Sequence, residues 1–249
     1  MNKWTIEELK LALALYCQLP FGKMHSRNPD IIRLAEKIGR TPSAVAMKLV
    51  NFASLDPEIA NSGRSGLGNA SSMDKQVWEQ FQNNWDEQVS NTVEKLGYFK
   101  DVKKDELEEI PLPIGTSRKA EVEVRNKQYI FRRMVLSSYV STCCMSGLSE
   151  PRLLIASHII PWNKGHDNRL NPKNGLCLSV LHDKAFDRGL LTVLPDYSIK
   201  VSGEISKLKD DKFIQNTLIS CQGRQITLPE KFHPDPKFLK WHNINIFKP

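Results

Sequence analysis

The feature that most constrains this chain is the stretch of residues 155–192, IASHIIPWNKGHDNRLNPKNGLCLSVLHDKAFDRGLLT. Short apolar runs flank a loop rich in proline and asparagine, a pattern that predicts strand, loop, strand and short helix. His158 falls in the first strand, Asn174 just before the second, and His182 on the helix. The pattern predicts a small α+β unit in which three elements each contribute one polar residue.

These residue types together can carry hydrolytic chemistry. A neutral imidazole can take a proton from water near neutral pH, a second imidazole can bind a divalent metal, and an amide can hold a loop between them. Taken singly, His158 is more typical of a buried strand residue than of a catalytic one, and Asn174-Gly175 is more typical of a turn. The ordered conjunction of His158, Asn174 and His182 is what favours catalysis.

The same residues resemble the HNH (ββα-metal) endonucleases, in the branch whose motif reads AxHIIP, NPxNGL and LHxxxFDxGL in that order. The resemblance implies that His158 is the general base, that Asn174 orients it, and that His182 binds the metal. It also implies a C-terminal ββα-metal domain that hydrolyses phosphodiester bonds.

The chain departs from the commoner form of this motif at two points. Many of these enzymes carry a metal-binding aspartate just before the base, where this chain has Ser157. A hydroxyl is a poorer ligand for a hard cation than a carboxylate, so we expect Asp187 to serve as a ligand, with Asp183 behind it. The five cysteines form no CxxC pair, so we expect no structural zinc and one catalytic divalent metal, Mg²⁺ or Mn²⁺.

The sequence pattern of the N-terminal part predicts a helical module. A capping box at Thr5 and Glu8 precedes an apolar helix, and Thr41 followed by Pro42 starts a later one after a tight turn. This helix-turn-helix-like order is typical of DNA reading, although protein contact and plain scaffolding remain open. The residues that we predict to contact DNA here are Arg40, Lys48 and Asn51.

The run GRTPSAVAMKLVNFASLDP also resembles the N-terminal region of bacterial restriction endonucleases that end in this HNH type. That resemblance implies a restriction or modification-dependent enzyme acting on double-stranded DNA. A homodimer follows from the need to cut both strands, because one ββα site cuts one strand. Arg132 and Arg169 are further candidate phosphate contacts.

Charge and composition set the domain limits. We place the helical module at residues 1–95, a linker at 96–116 and the nuclease domain at 117–249, with its core motif at 143–192. The formal net charge is +7, and residues 1–95 carry 11 Lys/Arg and 11 Asp/Glu, so the entire excess lies C-terminal to them. A basic catalytic half suits a polyanionic partner.

Neither a signal sequence nor a membrane span is indicated, and an odd number of scattered cysteines favours a reducing compartment, so we expect a cytoplasmic location. Two other interpretations stay open. The protein could be a DNA-binding regulator with an inactive HNH fold, for which Ser157 is the warning sign. It could instead be a nicking, homing or RNA-directed nuclease, because the chemistry does not select the nucleic acid.

Overall fold

The computed structural model describes residues 3–63, 68–96 and 118–249. They form two compact units, residues Met1–Ser138 and Tyr139–Pro249. The first unit is helical and the second combines short helices with two small antiparallel sheets, which confirms the α+β class. The predicted linker lies outside the described residues except at Leu96, and the helix that precedes Tyr139 belongs to the first unit.

In the first unit the capping box predicted at Thr5 and Glu8 is present, and Thr41 caps the third helix as expected. The two helices whose starts the sequence marked are α1 and α3. The bounds are α1 Ile6–Gln18, α2 Pro29–Lys37, α3 Pro42–Ala53, α4 Pro57–Asn61, α5 Ser72–Asn83, α6 Trp85–Leu96 and α7 Arg118–Ser138.

Helix α1 is the centre of this unit. It contacts α2, α3, α5, α6 and α7, and most of its residues from Leu9 onward are buried. The Tyr16 hydroxyl donates a hydrogen bond of 2.7 Å to the buried Asp56 carboxylate, which satisfies both of these buried groups.

The second unit begins its regular structure with the hairpin that the sequence predicted. Strands β1 and β2 pair antiparallel, with Leu154 opposite Ser179 and His158 opposite Gly175. Helix α8 follows β2 directly and packs against both strands. The bounds are β1 Leu154–His158, β2 Gly175–Ser179, α8 Val180–Asp187, β3 Leu191–Val193, β4 Ile199–Val201, α9 Gly203–Ser206, α10 Lys212–Thr217 and α11 Pro236–Asn245.

A second hairpin, β3–β4, turns near Pro195 and Asp196. Helix α11 packs on β3, and its buried His242 stacks on the Phe186 ring with the centroids 3.7 Å apart. In the described part of the chain, no helix is both long and apolar enough to span a bilayer.

Candidate functional site

His158 is the last residue of β1, and its ring is fixed by the loop that follows. Its Nε2 atom lies 2.9 Å from the backbone carbonyl oxygen of Arg169. Because a carbonyl can only accept, Nε2 carries the proton and Nδ1 is the basic nitrogen. The Trp162 ring packs edge-on against the imidazole, with the centroids 5.6 Å apart, which restricts its rotation.

Burial lowers the pKa of His158 to about 4; the Arg169 carbonyl opposes that shift and the Arg169 charge adds to it. The imidazole is therefore neutral at neutral pH. A neutral ring of fixed tautomer has the protonation state that a general base needs.

Asn174 is fully buried and its amide satisfies three backbone groups. Its Oδ1 accepts from the Ile160 N–H at 2.8 Å, and its Nδ2 donates to the carbonyls of Ile160 and Asn168, each at 3.1 Å. The side chain therefore joins the start of β2 to the loop after β1. It acts on His158 through the backbone, as a positioning residue.

Arg169 covers part of the same loop. Its Nε donates to the Trp162 carbonyl at 2.9 Å, and its guanidinium lies 5.1 Å from the Trp162 ring centroid. Its backbone holds His158 and its side chain holds Trp162. The structure thus gives Arg169 a local structural role, and the phosphate contact stays a prediction.

Two carboxylates lie along one face of α8. Residues four apart on a helix are neighbours, and Asp187 raises the pKa of Asp183 by charge repulsion. Burial is the main cause of that shift and brings the pKa of Asp183 to about 6, although the nearby Ser157 hydroxyl lowers it. Burial also raises the pKa of Asp187. Burial and repulsion both disfavour the two negative charges, so a cation bound here would relieve them.

The Ser157 hydroxyl lies close enough to Asp183 to lower its pKa. Ser157 is buried, and its Oγ makes no well-formed hydrogen bond with any residue that the structure describes. The hydroxyl therefore has capacity to serve a bound species beside the carboxylate. Because α8 packs against β1 and Ser157 precedes His158, the carboxylates lie near the end of the strand that carries the candidate base.

The contacts of His182 are with groups other than these carboxylates, and the expected metal site of His182 with Asp187 stays a prediction. Residues five apart on an α-helix point about 140° apart, so the two side chains leave α8 on different sides. The Nδ1 of His182 lies 2.7 Å from the Ser179 hydroxyl and its Nε2 lies 3.1 Å from the Thr217 carbonyl oxygen. In this structure, protein groups occupy both ring nitrogens.

Two thiols complete the surroundings of His182, and no spacing in the sequence indicated that they would lie there. The Cys221 Sγ lies 3.8 Å from Nε2, while Cys143 accepts from the Ser179 N–H at 3.2 Å. Burial opposes the charged form of both groups and is the largest single effect on each. Bonds with His182 and Ser146 together outweigh it at Cys143 and lower the pKa of the thiol to about 6, while bonds with Cys143 and Cys221 raise the pKa of His182 to about 9. Cys143 and His182 thus stabilise each other's charged forms at the start of α8.

Among the described residues, no three His, Cys, Asp or Glu side chains are arranged to hold a metal ion. Mg²⁺ is commonly held by one or two protein carboxylates, with substrate phosphate oxygens and water completing its octahedron. Asp183 and Asp187, beside the buried Ser157 hydroxyl, fit that donor set. The helical spacing of residues 183 and 187 is the sequence signal that places Asp183 beside the predicted ligand Asp187.

In the first unit, two expected DNA contacts have structural partners. Arg40 binds Glu8 through two hydrogen bonds of 3.0 and 2.8 Å and covers the Trp4 ring at 4.3 Å. Lys48 is buried, with Nζ 2.9 Å from both oxygens of the fully buried Asp74. The DNA contacts predicted for Arg40 and Lys48 stay predictions.

The other predicted contacts are differently placed. Asn51 is half-buried on α3, four residues from the exposed Met47, which is itself four residues from the exposed Ser43. This spacing puts Ser43, Met47 and Asn51 on one outward face. Arg132 is half-buried on α7, next to Arg133, which pairs with Asp30 at 2.8 Å.

Comparison with known families identifies the second unit's core. Residues 143–194 match the model of the HNH endonuclease family, a span that includes β1, β2, α8 and β3. A search of curated proteins finds no match. The match confirms the HNH resemblance of the motif and implies a nucleic-acid substrate.

Proposed function

We propose that this chain, which belongs to the HNH endonuclease family through residues 143–194, is a metal-dependent DNA endonuclease of the restriction or modification-dependent type. The observation that carries the proposal is His158, a neutral imidazole whose Nε2–H is fixed by the Arg169 carbonyl. Hydrolysis of a phosphodiester requires such a base to activate water.

The proposed mechanism assigns each step to a residue. Nδ1 of His158 takes a proton from a water molecule that attacks the phosphorus in line, while Trp162 and the Arg169 carbonyl keep the ring in place. Asn174 holds the loop that carries Ile160 and Asn168. A divalent metal bound by Asp183 and Asp187 would stabilise negative charge on the phosphate and on the leaving oxygen.

In this proposal His182 positions α8 and is not a metal ligand. Its bond to Ser179, the residue that caps α8, and its contact with Cys143 hold the first turn of the helix. Asp183 follows His182 directly, so the buried pair fixes the place from which the carboxylate projects. The Cys143 and His182 pair therefore supports the site without touching substrate.

We assign DNA reading to the first unit, in particular to the outward face of α3 that carries Ser43, Met47 and Asn51. Small polar and flexible apolar side chains on an exposed helix can contact base edges and methyl groups. Two copies of the chain would place two nuclease sites on the two strands, so we propose a homodimer on duplex DNA.

The experiment is cleavage of supercoiled plasmids, unmodified and carrying different base modifications, with Mg²⁺, Mn²⁺ or EDTA. The wild type is compared with His158→Ala and with His25→Ala, which changes an exposed histidine of the first unit. We expect metal-dependent nicking or linearisation that His158→Ala loses and His25→Ala retains. Binding without cleavage on every substrate would instead favour the regulator with an inactive HNH fold.

Parallel reactions on linear duplex and on RNA separate the remaining alternatives. Linearisation of plasmid with little attack on RNA supports the double-strand DNA endonuclease. Nicks alone under all conditions would contradict the homodimer and favour a nicking enzyme. Sedimentation of the chain with and without duplex DNA measures the oligomeric state independently of cleavage.

A further inference from the structure

The C-terminal segment of the second unit is held tightly against the end of α8. The Lys248 N–H donates to the Gly189 carbonyl at 3.0 Å. Gly189 has φ +71° and permits a close approach, because a Cβ built there would lie 2.1 Å from the Ile246 carbonyl oxygen. Asn243 adds hydrogen bonds of 2.7 and 2.9 Å to the Thr192 hydroxyl and the Val193 carbonyl. These contacts fix Lys248 beside the last residues of α8.

This attachment brings exposed cations from three parts of the unit together. Helix α8 exposes Lys184 and its C-cap Arg188, and β4 exposes Lys200, whose Nζ lies 5.5 Å from the Phe247 ring centroid. Because Phe247 precedes Lys248, Lys200 also lies near the C-terminal segment. We call these four residues the basic ridge: Lys184, Arg188, Lys200 and Lys248.

The basic ridge begins at the candidate metal carboxylates. Lys184 and Arg188 are close enough to Asp187 to lower the pKa of its carboxyl against the effect of burial. No ridge residue forms an ion pair within 4.0 Å with a residue that the structure describes. Residues 236–249 add Lys237 and Lys240 and contain no aspartate or glutamate.

We propose that the basic ridge binds the sugar-phosphate backbone of DNA beside the scissile phosphate; this proposal rests on the proposed nuclease function. DNA presents a regular row of phosphates, and a row of exposed cations can neutralise several of them with release of counterions. The close backbone packing at Gly189 holds Arg188 and Lys248 on ordered elements, so little backbone entropy is lost on binding. Such contacts set register on the duplex and carry no sequence information.

The test measures binding without catalysis. A labelled duplex of random sequence is titrated in EDTA at several salt concentrations with the wild type and with the triple variant Arg188→Ala, Lys200→Ala, Lys248→Ala. The matched control is Lys207→Ala, Lys209→Ala, Lys212→Ala, which removes three exposed cations of the same unit. Circular dichroism verifies that each variant folds. If the ridge triple does not fold, the single variant Arg188→Ala is tested in its place.

We expect the ridge triple to weaken binding by about 10- to 100-fold and to lower the salt slope of log affinity by about 2 to 3, because each lost phosphate contact changes that slope by about 0.9. The control triple should change the affinity by less than about threefold. Equal effects of the two triples would show a response to net charge alone and overturn the proposal.

Cleavage of the same duplex with Mg²⁺ separates this proposal from the nuclease function. If the ridge triple loses DNA binding and the wild type cuts no substrate, DNA binding by the ridge is supported and the proposed nuclease function is rejected. If the ridge triple binds and cleaves DNA normally, DNA binding by the ridge is rejected and the nuclease function stands.

Discussion

The Nε2 atom of His158 lies 2.9 Å from the carbonyl oxygen of Arg169, which makes Nδ1 the basic nitrogen of the ring. Burial lowers the pKa of this imidazole to about 4. At saturating metal, we therefore expect the cleavage rate to rise with pH as His158 loses its proton near pH 4, and to be flat from about pH 5 to neutrality. A pH profile of single-turnover cleavage measures this. An acid limb near the ordinary histidine value of about 6.5 would contradict it.

Asn174→Ala should both destabilise the second unit and slow cleavage. The change removes three hydrogen bonds and leaves the Ile160 N–H and carbonyl unsatisfied, at a cost of about 2 to 4 kcal/mol in the free energy of unfolding. Misplacement of the loop should slow cleavage by about 100-fold. Urea denaturation and single-turnover rates measure the two effects. Asn163→Ala, at an exposed position of the same loop, should change neither.

His182→Ala and Asp183→Asn should have opposite signatures. His182→Ala breaks the buried pair with Cys143 and should lower the free energy of unfolding by about 2 to 4 kcal/mol while Mn²⁺ affinity changes by less than about threefold. Asp183→Asn should weaken Mn²⁺ binding at least about tenfold, comparable to losses at other metal sites.

The pKa of Asp183 predicts how Asp183→Asn changes the stability of the metal-free protein. The pKa of its carboxyl in the folded protein, about 6, lies above the value of 3.8 expected in the unfolded chain. Ionisation of Asp183 therefore lowers the stability of the folded protein as pH rises from about 4 to 6. In the metal-free protein at pH 7, Asp183→Asn should therefore raise the free energy of unfolding, by about 1 to 2 kcal/mol. Calorimetric Mn²⁺ titration and chemical denaturation test both variants. Loss of Mn²⁺ binding in His182→Ala, with unchanged stability, would restore His182 as the ligand.

Gly189→Ala should be more destabilising than Gly147→Ala, although both glycines have positive φ, +71° and +74°. At Gly147 the new methyl group meets no atom within 4 Å, so only backbone strain of about 1 kcal/mol is expected. At Gly189 it would meet the Ile246 carbonyl at 2.1 Å, which should bring the loss to about 3 kcal/mol or more. Thermal and urea unfolding compare the two, and equal losses would show that the C-terminal segment does not pack as described.

Lys48→Met should lower the free energy of unfolding by about 3 to 5 kcal/mol, because it leaves the fully buried Asp74 charged and unpaired. The double variant Lys48→Met, Asp74→Asn should recover part of that loss, since no buried charge remains. Urea denaturation of the two variants measures the difference. A Lys48→Met protein of normal stability and reduced DNA affinity would instead identify Lys48 as the DNA contact first expected.

The sequence by itself determined the local elements, because their signals are short-range. Alternating apolar runs and proline breaks fixed the hairpin and α8, and side-chain caps such as Thr5 and Thr41 fixed helix starts, since each depends on residues within one turn. The order of His158 and Asn174 likewise indicated the HNH family, which the match of residues 143–194 supports.

Only the tertiary structure decided which side chains meet. His182 faces Cys143 and Cys221, which lie far from it in sequence, and Lys48 faces Asp74 across the first unit. Lys248 reaches the end of α8 because Gly189 leaves room for its backbone. Long-range partners depend on how elements pack, and burial then decides whether a charged side chain serves the core or the solvent. A residue type and a spacing therefore predicted the chemistry of the second unit, while the partners of its buried charged side chains and its cationic surface required the fold.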